Sequence, residues 1–381
     1  MGHATNKRRN VLFVGLAMLL SLALAAASLE ALLRAIPIPA IEVHRREPFR
    51  QEGHRTFFTY DAELGWRGRP DAAGLFAGWE FDTQVHLNEL GFRDVRPWRD
   101  KLPGQYELLL LGDSITWGYG VEEGRRYSDR LSDELSKLGV DVVVRNAAVS
   151  GYDTGQELLL YRQLRRRGCP DVVLIGLYGN DVTENLSAWQ GVYPKPYFQL
   201  AQNTLQLKNV PVPTADRWSV HQALTDRGWM SRLREHSRLY AMAAWIKETA
   251  RQAVQADSPT GSPSNEAGIE VTAALLRELV GEVLQDKRDA AVLVLPDVGV
   301  LTDTRVSAST LSAQRAQVPS MLELSQLFQE AKRNEGLPLF YRLDGAHWTE
   351  RAHELGAQQI ARFLAESAFF HRAPRQCSAQ S

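Results

Sequence analysis

The stretch "LLLLGDSITWGYGVEEG" occupies Leu108–Gly124. Four leucines in a row suit a strand buried on both faces of a parallel sheet. The run stops abruptly at Gly112, Asp113 and Ser114. Gly112 permits a sharp turn there, while Gly118 and Gly120 keep the following loop open. Ser114 is thereby expected at the carboxyl end of a strand, where open α/β sheets place their ligands. A serine in that position also caps a turn or helix, so this stretch alone leaves both readings standing.

Outward from Leu108 the chain alternates. "YELLLLG" precedes a helical pattern over Arg125–Leu138, "VDVVVRNA" reads as a second strand and "TGQELLLYRQLRRRG" as a second helix. "PDVVLIGLYG" is a third strand and "AAVLVLP" a fourth. Helices are expected near Ile269–Leu284, Pro319–Asn334 and Thr349–Ala365, with "LPLFYRLDGAHW" as a strand ahead of the last. Strands alternating with helical crossovers imply a mainly parallel sheet in a three-layer α/β/α sandwich. The alternation breaks over residues 186–282, which hold an aromatic, Pro-rich loop, a helix-rich stretch near Trp218–Ala256 and the linker "DSPTGSPSNEAG". That segment reads as an insertion over the strand ends. Residues 36–103 read as a short-stranded extension rich in Gly, Pro and aromatics, serving as a stalk, a packed sheet or a rim of the site.

Composition excludes some classes. The 381 residues are 44% hydrophobic and 23% charged with a formal net charge of −1, which suits a globular core and gives no field favouring nucleic acid. The basic cluster "YRQLRRRG" at Tyr161–Gly168 reads as a solvated helix end. Two cysteines, Cys169 and Cys377, cannot build a disulfide scaffold or a four-cysteine metal site, and Cys169 is expected to be buried packing.

The amino terminus carries a location. "NKRRN" within residues 1–10 is followed by Val11–Leu29, nineteen residues without a charge. As a helix that run spans roughly 28 Å, close to the ~30 Å hydrocarbon thickness. Lys7, Arg8 and Arg9 favour a cytoplasmic start with the remainder translocated. Residues 11–33 are therefore expected as a transmembrane anchor. A cleaved signal sequence is the alternative, given the small residues Ala23–Ala27. Export follows from either reading.

Four stretches fall at the carboxyl ends of expected strands: "GDSIT" at Gly112–Thr116, "NAAVSG" at Asn146–Gly151, "YGND" at Tyr178–Asp181 and "DGAHW" at Asp344–Trp348. Each has a bland reading alone, as a cap, a turn or a structural histidine. Together they supply a hydroxyl nucleophile, a base, a carboxylate to orient it and further donors, which is what acyl transfer through serine requires.

In order, spacing and strand context these stretches resemble the GDSL, or SGNH, hydrolases over about Tyr106–Leu364, apart from the insertion. The resemblance implies the flavodoxin-like fold of that family over residues 106–370, followed by a tail at residues 371–381. It implies Ser114 as nucleophile, His347 as base and Asp344 as the carboxylate that orients the imidazole. It implies Ser114 (backbone N–H), Gly151 and Asn180 as oxyanion-hole donors, with neither metal nor organic cofactor. One departure stands out: the family's third block usually reads G-x-N-D, and Tyr178 occupies its first position. The expected activity is hydrolysis of acyl or O-acetyl esters of carbohydrate or lipid, on the periplasmic or extracellular side. The alternatives are an O-acetyltransferase acting on an envelope polysaccharide and a non-catalytic glycan-binding or scaffold protein.

Rival chemistries fail on residues. The chain has no G-x-S-x-G elbow, no G-K-[ST] ending to a glycine loop and no H-E-x-x-H. His347 and His353 lack metal-ligand spacing.

Overall fold

The computed structural model describes residues 2–36, 38–94, 98, 101–191, 193–214, 233, 236–255, 265–301, 307–336 and 338–375. Parts of several expected segments lie outside them, among them residues 37, 95–97 and 99–100 of the extension, 218–232, 234–235 and 256 of the helix-rich stretch, 257–264 of the linker and 376–381 of the tail. The chain forms two compact units, one from residues 1–51 and 221–260, the other from residues 52–220 and 261–381.

In the first unit, α1 (Gly2–Ala35) contains an apolar stretch, Phe13–Ala35, of mean hydropathy 2.1 and only 6% buried. By length and composition it can cross a bilayer. Glu30 on α1 accepts hydrogen bonds from Ser237 Oγ and from the backbone N–H groups of Arg238 and Leu239. These residues open the helix Arg238–Gln255, whose first N–H groups have no partners of their own within the helix. α2 (Pro39–Phe57) follows, so the start of the expected short-stranded extension is helical.

The second unit begins with hairpins. β1 (Phe58–Asp61) pairs with β2 (Gly65–Gly68), and β3 (Ala73–Ala77) with β4 (Asp82–His86), both antiparallel. The central sheet comprises β5 (Tyr106–Leu111), β6 (Val142–Asn146), β7 (Val172–Leu177), β12 (Asp289–Val294) and β13 (Met321–Glu323). Its order is β13-β12-β7-β5-β6, parallel throughout. Two small hairpins lie within residues 186–282: β8 (Trp189–Gln190) with β9 (Tyr193–Pro194), and β10 (Tyr197–Ala201) with β11 (Thr204–Lys208). The fifth sheet strand is thus Met321–Glu323, not "LPLFYRLDGAHW". That stretch keeps a single bridge, Phe340 to Trp348, because Pro338 lacks a ladder donor and the chain turns at Asp344 and Gly345, where Gly345 has φ +71°.

The pleat explains the leucines. Leu109 and Leu111 face one apolar cluster, with Val173, Ile175 and Val292, while Leu108 and Leu110 face the other, with Val172, Leu174 and Leu293. Successive side chains on a strand point to opposite faces, so only a strand covered on both sides tolerates such a run. Each fully buried leucine contributes on the order of 1.5–3 kcal/mol. One face is covered by α5 (Thr154–Leu164) and the helix Asn265–Gln285. The other is covered by α4 (Tyr127–Lys137) and the helices Ser325–Glu335 and Glu350–Glu366. Phe57, Phe58, Trp66, Phe76 and Val85 of the extension belong to the first cluster, so these hairpins are packed on the sheet domain.

Two surface readings change. Arg162 and Arg165 at the end of α5 do not simply face water: they pair with Glu278, Glu282 and Asp286. Glu278 and Glu282 share one face of the helix Asn265–Gln285 at i, i+4 spacing, and Asp286 lies just beyond its end. Cys169 is not buried packing but half-buried and disulfide-bonded. The chain's only other cysteine, Cys377, lies outside the described residues.

Candidate active site

Ser114 opens α3 (Ser114–Trp117), a single turn directly beyond β5. Asp113 precedes it as N-cap, its carboxylate accepting the N–H of Ile115 at 2.9 Å. Gly112 is required by close approach: a Cβ there would sit 2.2 Å from Thr116 Oγ1. The turn is held below by Asn146, whose side chain donates to Thr116 O at 2.8 Å and Ser128 Oγ at 2.9 Å. Asn146 is therefore a satisfied structural link between β6 and the Ser114 turn.

His347 Nε2 lies 2.7 Å from Ser114 Oγ, and His347 Nδ1 lies 2.6 Å from Asp344 Oδ1. The same Asp344 oxygen accepts the N–H groups of His347 at 2.9 Å and Ala346 at 3.1 Å. Burial pushes the Asp344 carboxyl up, but the hydrogen bond and charge of His347 and those N–H groups outweigh it. The group is held below the usual carboxylate range. Asp113 behaves oppositely: burial pushes it up to about 6, against the opposing pull of the Ile115 N–H and the His347 charge.

Gly151 and Asn180 follow β6 and β7, the two sheet neighbours of β5. Gly151 has φ +83°, which disfavours any other residue. Its N–H and that of Ser114 have no acceptor among the described residues. The Gly151 loop is fixed from the extension, since Trp66 Nε1 donates to Ser150 O at 3.1 Å and Tyr152 OH donates to Trp66 O. Asn180 is half-buried at the start of α6 (Asp181–Glu184), its Oδ1 buried without a partner. Asp181 ties these loops together, accepting from Thr154 N at 2.9 Å and Tyr178 N at 2.8 Å.

Three contributors escape a reading by motif. Tyr178, noted only as a departure from G-x-N-D, donates its hydroxyl to Ala346 O at 2.8 Å, one residue before His347. Tyr119 stacks on the His347 ring at 4.1 Å between centroids; its place in the glycine loop after Ser114 was the available signal. Lys195, fully buried, pairs with Asp153 and donates to Glu184 O at 2.8 Å, and a lone lysine between prolines carries no such signal.

Comparison with known proteins adds the following. The chain is similar to an arylesterase of Vibrio mimicus, with 39% identity over 90 residues, covering 21% of this chain and 45% of that protein. It therefore spans less than half the length of this curated relative. Among solved structures it overlaps a lipase/acylhydrolase from Enterococcus faecalis at TM-score 0.37 and 16% identity, covering 72% of this chain and all of that one. It also overlaps an alpha/beta hydrolase from the metagenome of Lake Arreo, Spain, at TM-score 0.40 and 13% identity, covering 70% and 99%. Residues 110–355 match the model of the GDSL-like lipase/acylhydrolase family. That range takes in well over half of the chain, from the end of the leucine run to the helix behind His347, and the chain belongs to this family.

Proposed function

We propose that the protein is a serine esterase that cleaves acyl or O-acetyl esters of carbohydrate or lipid through an acyl-serine intermediate. The observation that carries this reading is the hydrogen-bonded series Ser114–His347–Asp344 beyond the carboxyl end of β5. A serine hydroxyl is a weak nucleophile, so His347 Nε2 takes its proton as Oγ bonds to the ester carbonyl carbon. Asp344 keeps the Nδ1–H tautomer and stabilises the imidazolium without taking the proton. The carbonyl oxygen becomes an oxyanion, received by the Ser114 and Gly151 N–H groups and the Asn180 amide. Each such donor is worth about 3 kcal/mol. Collapse breaks the bond to the alcohol, which leaves with the His347 proton. Water then attacks the acyl-serine, His347 again accepting and returning the proton.

Ser114→Ala in a folded protein should abolish turnover of nitrophenyl esters and labelling by a fluorophosphonate, whereas retained turnover would sink the reading. A sugar hydroxyl replacing water in the second step would make the protein an acyltransferase. Labelled acetyl donor, followed into glycan against free acetate, separates the two.

We further infer that α1 anchors the chain and that the catalytic unit faces an oxidising compartment. The uncovered apolar stretch Phe13–Ala35 and the disulfide at Cys169 support this. Full-length protein in the membrane fraction that high salt does not extract is the expected result. A soluble form beginning near Ser28 would instead mean signal cleavage.

A further inference from the structure

The loop that holds Asp344 and His347 has almost no ladder to fix it. Between the bridge residues Phe340 and Trp348 the backbone consists of turns and bends. Within it, Tyr341 N donates to His347 O at 3.0 Å and Gly345 N to Tyr341 O at 2.8 Å. The N–H groups of Leu343 and Asp344 find their acceptor elsewhere. Both donate to one carboxylate oxygen, Glu80 Oε1, at 2.6 and 3.3 Å.

Glu80 lies in the turn Gly78–Phe81, which joins β3 to β4 and is closed by Gly78 N donating to Phe81 O at 2.9 Å. The same turn places Phe81 edge-on to Tyr119, with centroids 5.0 Å apart at 89°, and Tyr119 is the ring stacked on His347. The packing there leaves no slack. A Cβ on Gly78 would lie 2.2 Å from the Phe81 ring, and one on Gly120 would lie 2.7 Å from Tyr341 and 2.8 Å from Phe81. One hairpin tip therefore reaches the backbone of Asp344 through a carboxylate, and the ring of His347 through Phe81 set edge-on to Tyr119.

We propose that Glu80 is a positioning residue for the Asp344–His347 pair, which makes the β3–β4 hairpin a working part of the active site. The proposal rests on the serine-esterase reading above. A base acts only when its nitrogen is held in line with the nucleophile, and a displacement of about 1 Å costs on the order of 100-fold. Withdrawing Glu80 Oε1 frees two N–H groups on the residues that set the Asp344 carboxylate and removes no group of the Ser114–His347–Asp344 series. The loss should therefore fall on kcat and spare KM.

The test uses the full chain in detergent, with a nitrophenyl acetate as substrate and a fluorophosphonate to report Ser114 reactivity. Glu80→Ala should lower kcat and the labelling rate together by roughly 10- to 100-fold, with KM within about 3-fold of the parent. Glu80→Gln keeps an Oε1 acceptor and should recover to within about 3-fold. Parent-like kcat in Glu80→Ala overturns the proposal, as does an equal loss in both variants. If Glu80→Ala does not fold, Glu80→Asp takes its place, keeping the charge but drawing the oxygen back by ~1.5 Å. A parent-like kcat there overturns the proposal too. Ser114→Ala, assayed beside them, keeps the failures apart. If it turns over ester, the esterase reading falls and takes this one with it; if it is inactive and the Glu80 variants match the parent, only the positioning role fails.

Discussion

At the scale of single residues, the proposed site includes groups that hold the Asp344–His347 loop as well as the hydrogen-bonded series Ser114–His347–Asp344. Tyr178 stands where its family usually has glycine, and its buried hydroxyl fastens Ala346 O. Glycine would give the third block freedom but no such bond. Tyr178→Phe removes one oxygen and leaves the ring in place, so the fold should lose about 1 kcal/mol. Because the bond sits one residue from His347, kcat should fall roughly 10-fold with KM nearly unchanged. Steady-state kinetics with a nitrophenyl ester checks this, and a rise in KM at constant kcat would place Tyr178 against substrate instead.

At the scale of elements, the β8–β9 hairpin separates two aromatics that look alike in "AWQGVYPKPYF". Tyr193 is half-buried and its ring lies 6.1 Å from His54 and 6.2 Å from Trp66. Trp189 is 55% exposed, and its neighbour Gln190 comes within 3.7 Å of where a Cβ on Gly151 would stand. Tyr193→Ala should therefore cost about 2 kcal/mol in a denaturant melt. Trp189→Ala should cost less than about 0.5 kcal/mol while changing the preference between acetylated glycans and longer acyl esters. A substrate profile identical to the parent in Trp189→Ala would remove that residue from the site. The hairpin itself is fastened by Lys195, whose buried pair with Asp153 reaches the residue capping α5.

At the scale of the whole molecule, buried acids under the strand ends set the response to pH. Burial, reinforced by mutual repulsion, pushes Glu157 and Asp181 well up, Glu157 with both oxygens unpartnered. Glu184 is pushed up to about 7, by burial and then by the charge of Asp153. In the unfolded chain such carboxyls are ionised above ~5, so between pH ~8.5 and ~6.5 these groups take up protons only in the folded state. The contribution of these acids to stability should rise as pH falls through that window. His353 works the other way. Burial and the charges of Arg126 and Arg93 hold it down to about 3, so the unfolded chain gains a proton there below ~6.5 and the benefit is eroded. Thermal melts should give a higher Tm at pH ~6.5 than at ~8.5. A flat or inverted trend would mean these acids stay ionised in the folded protein.

What the sequence determined by itself was whatever local pattern encodes. The leucine run, the glycines and the strand–helix alternation are written in residues close together, since the pleat and the close approach at Gly112 are properties of short segments. The D-x-x-H spacing likewise puts Asp344 and His347 on one loop, where carboxylate and imidazole meet at 2.6 Å. Tertiary structure alone decided the fifth strand. Met321–Glu323 is three residues long, and its place comes from the open edge of β12, with no periodicity of its own. It alone brought Glu80 to Leu343 and Asp344, 263 and 264 residues away, and Trp66 to Ser150, 84 residues away. A single Glu in a turn or Trp in a strand looks the same whether it faces water or holds a distant loop. The difference lies in which distant N–H or carbonyl the packed core leaves without a partner, and no local pattern records that.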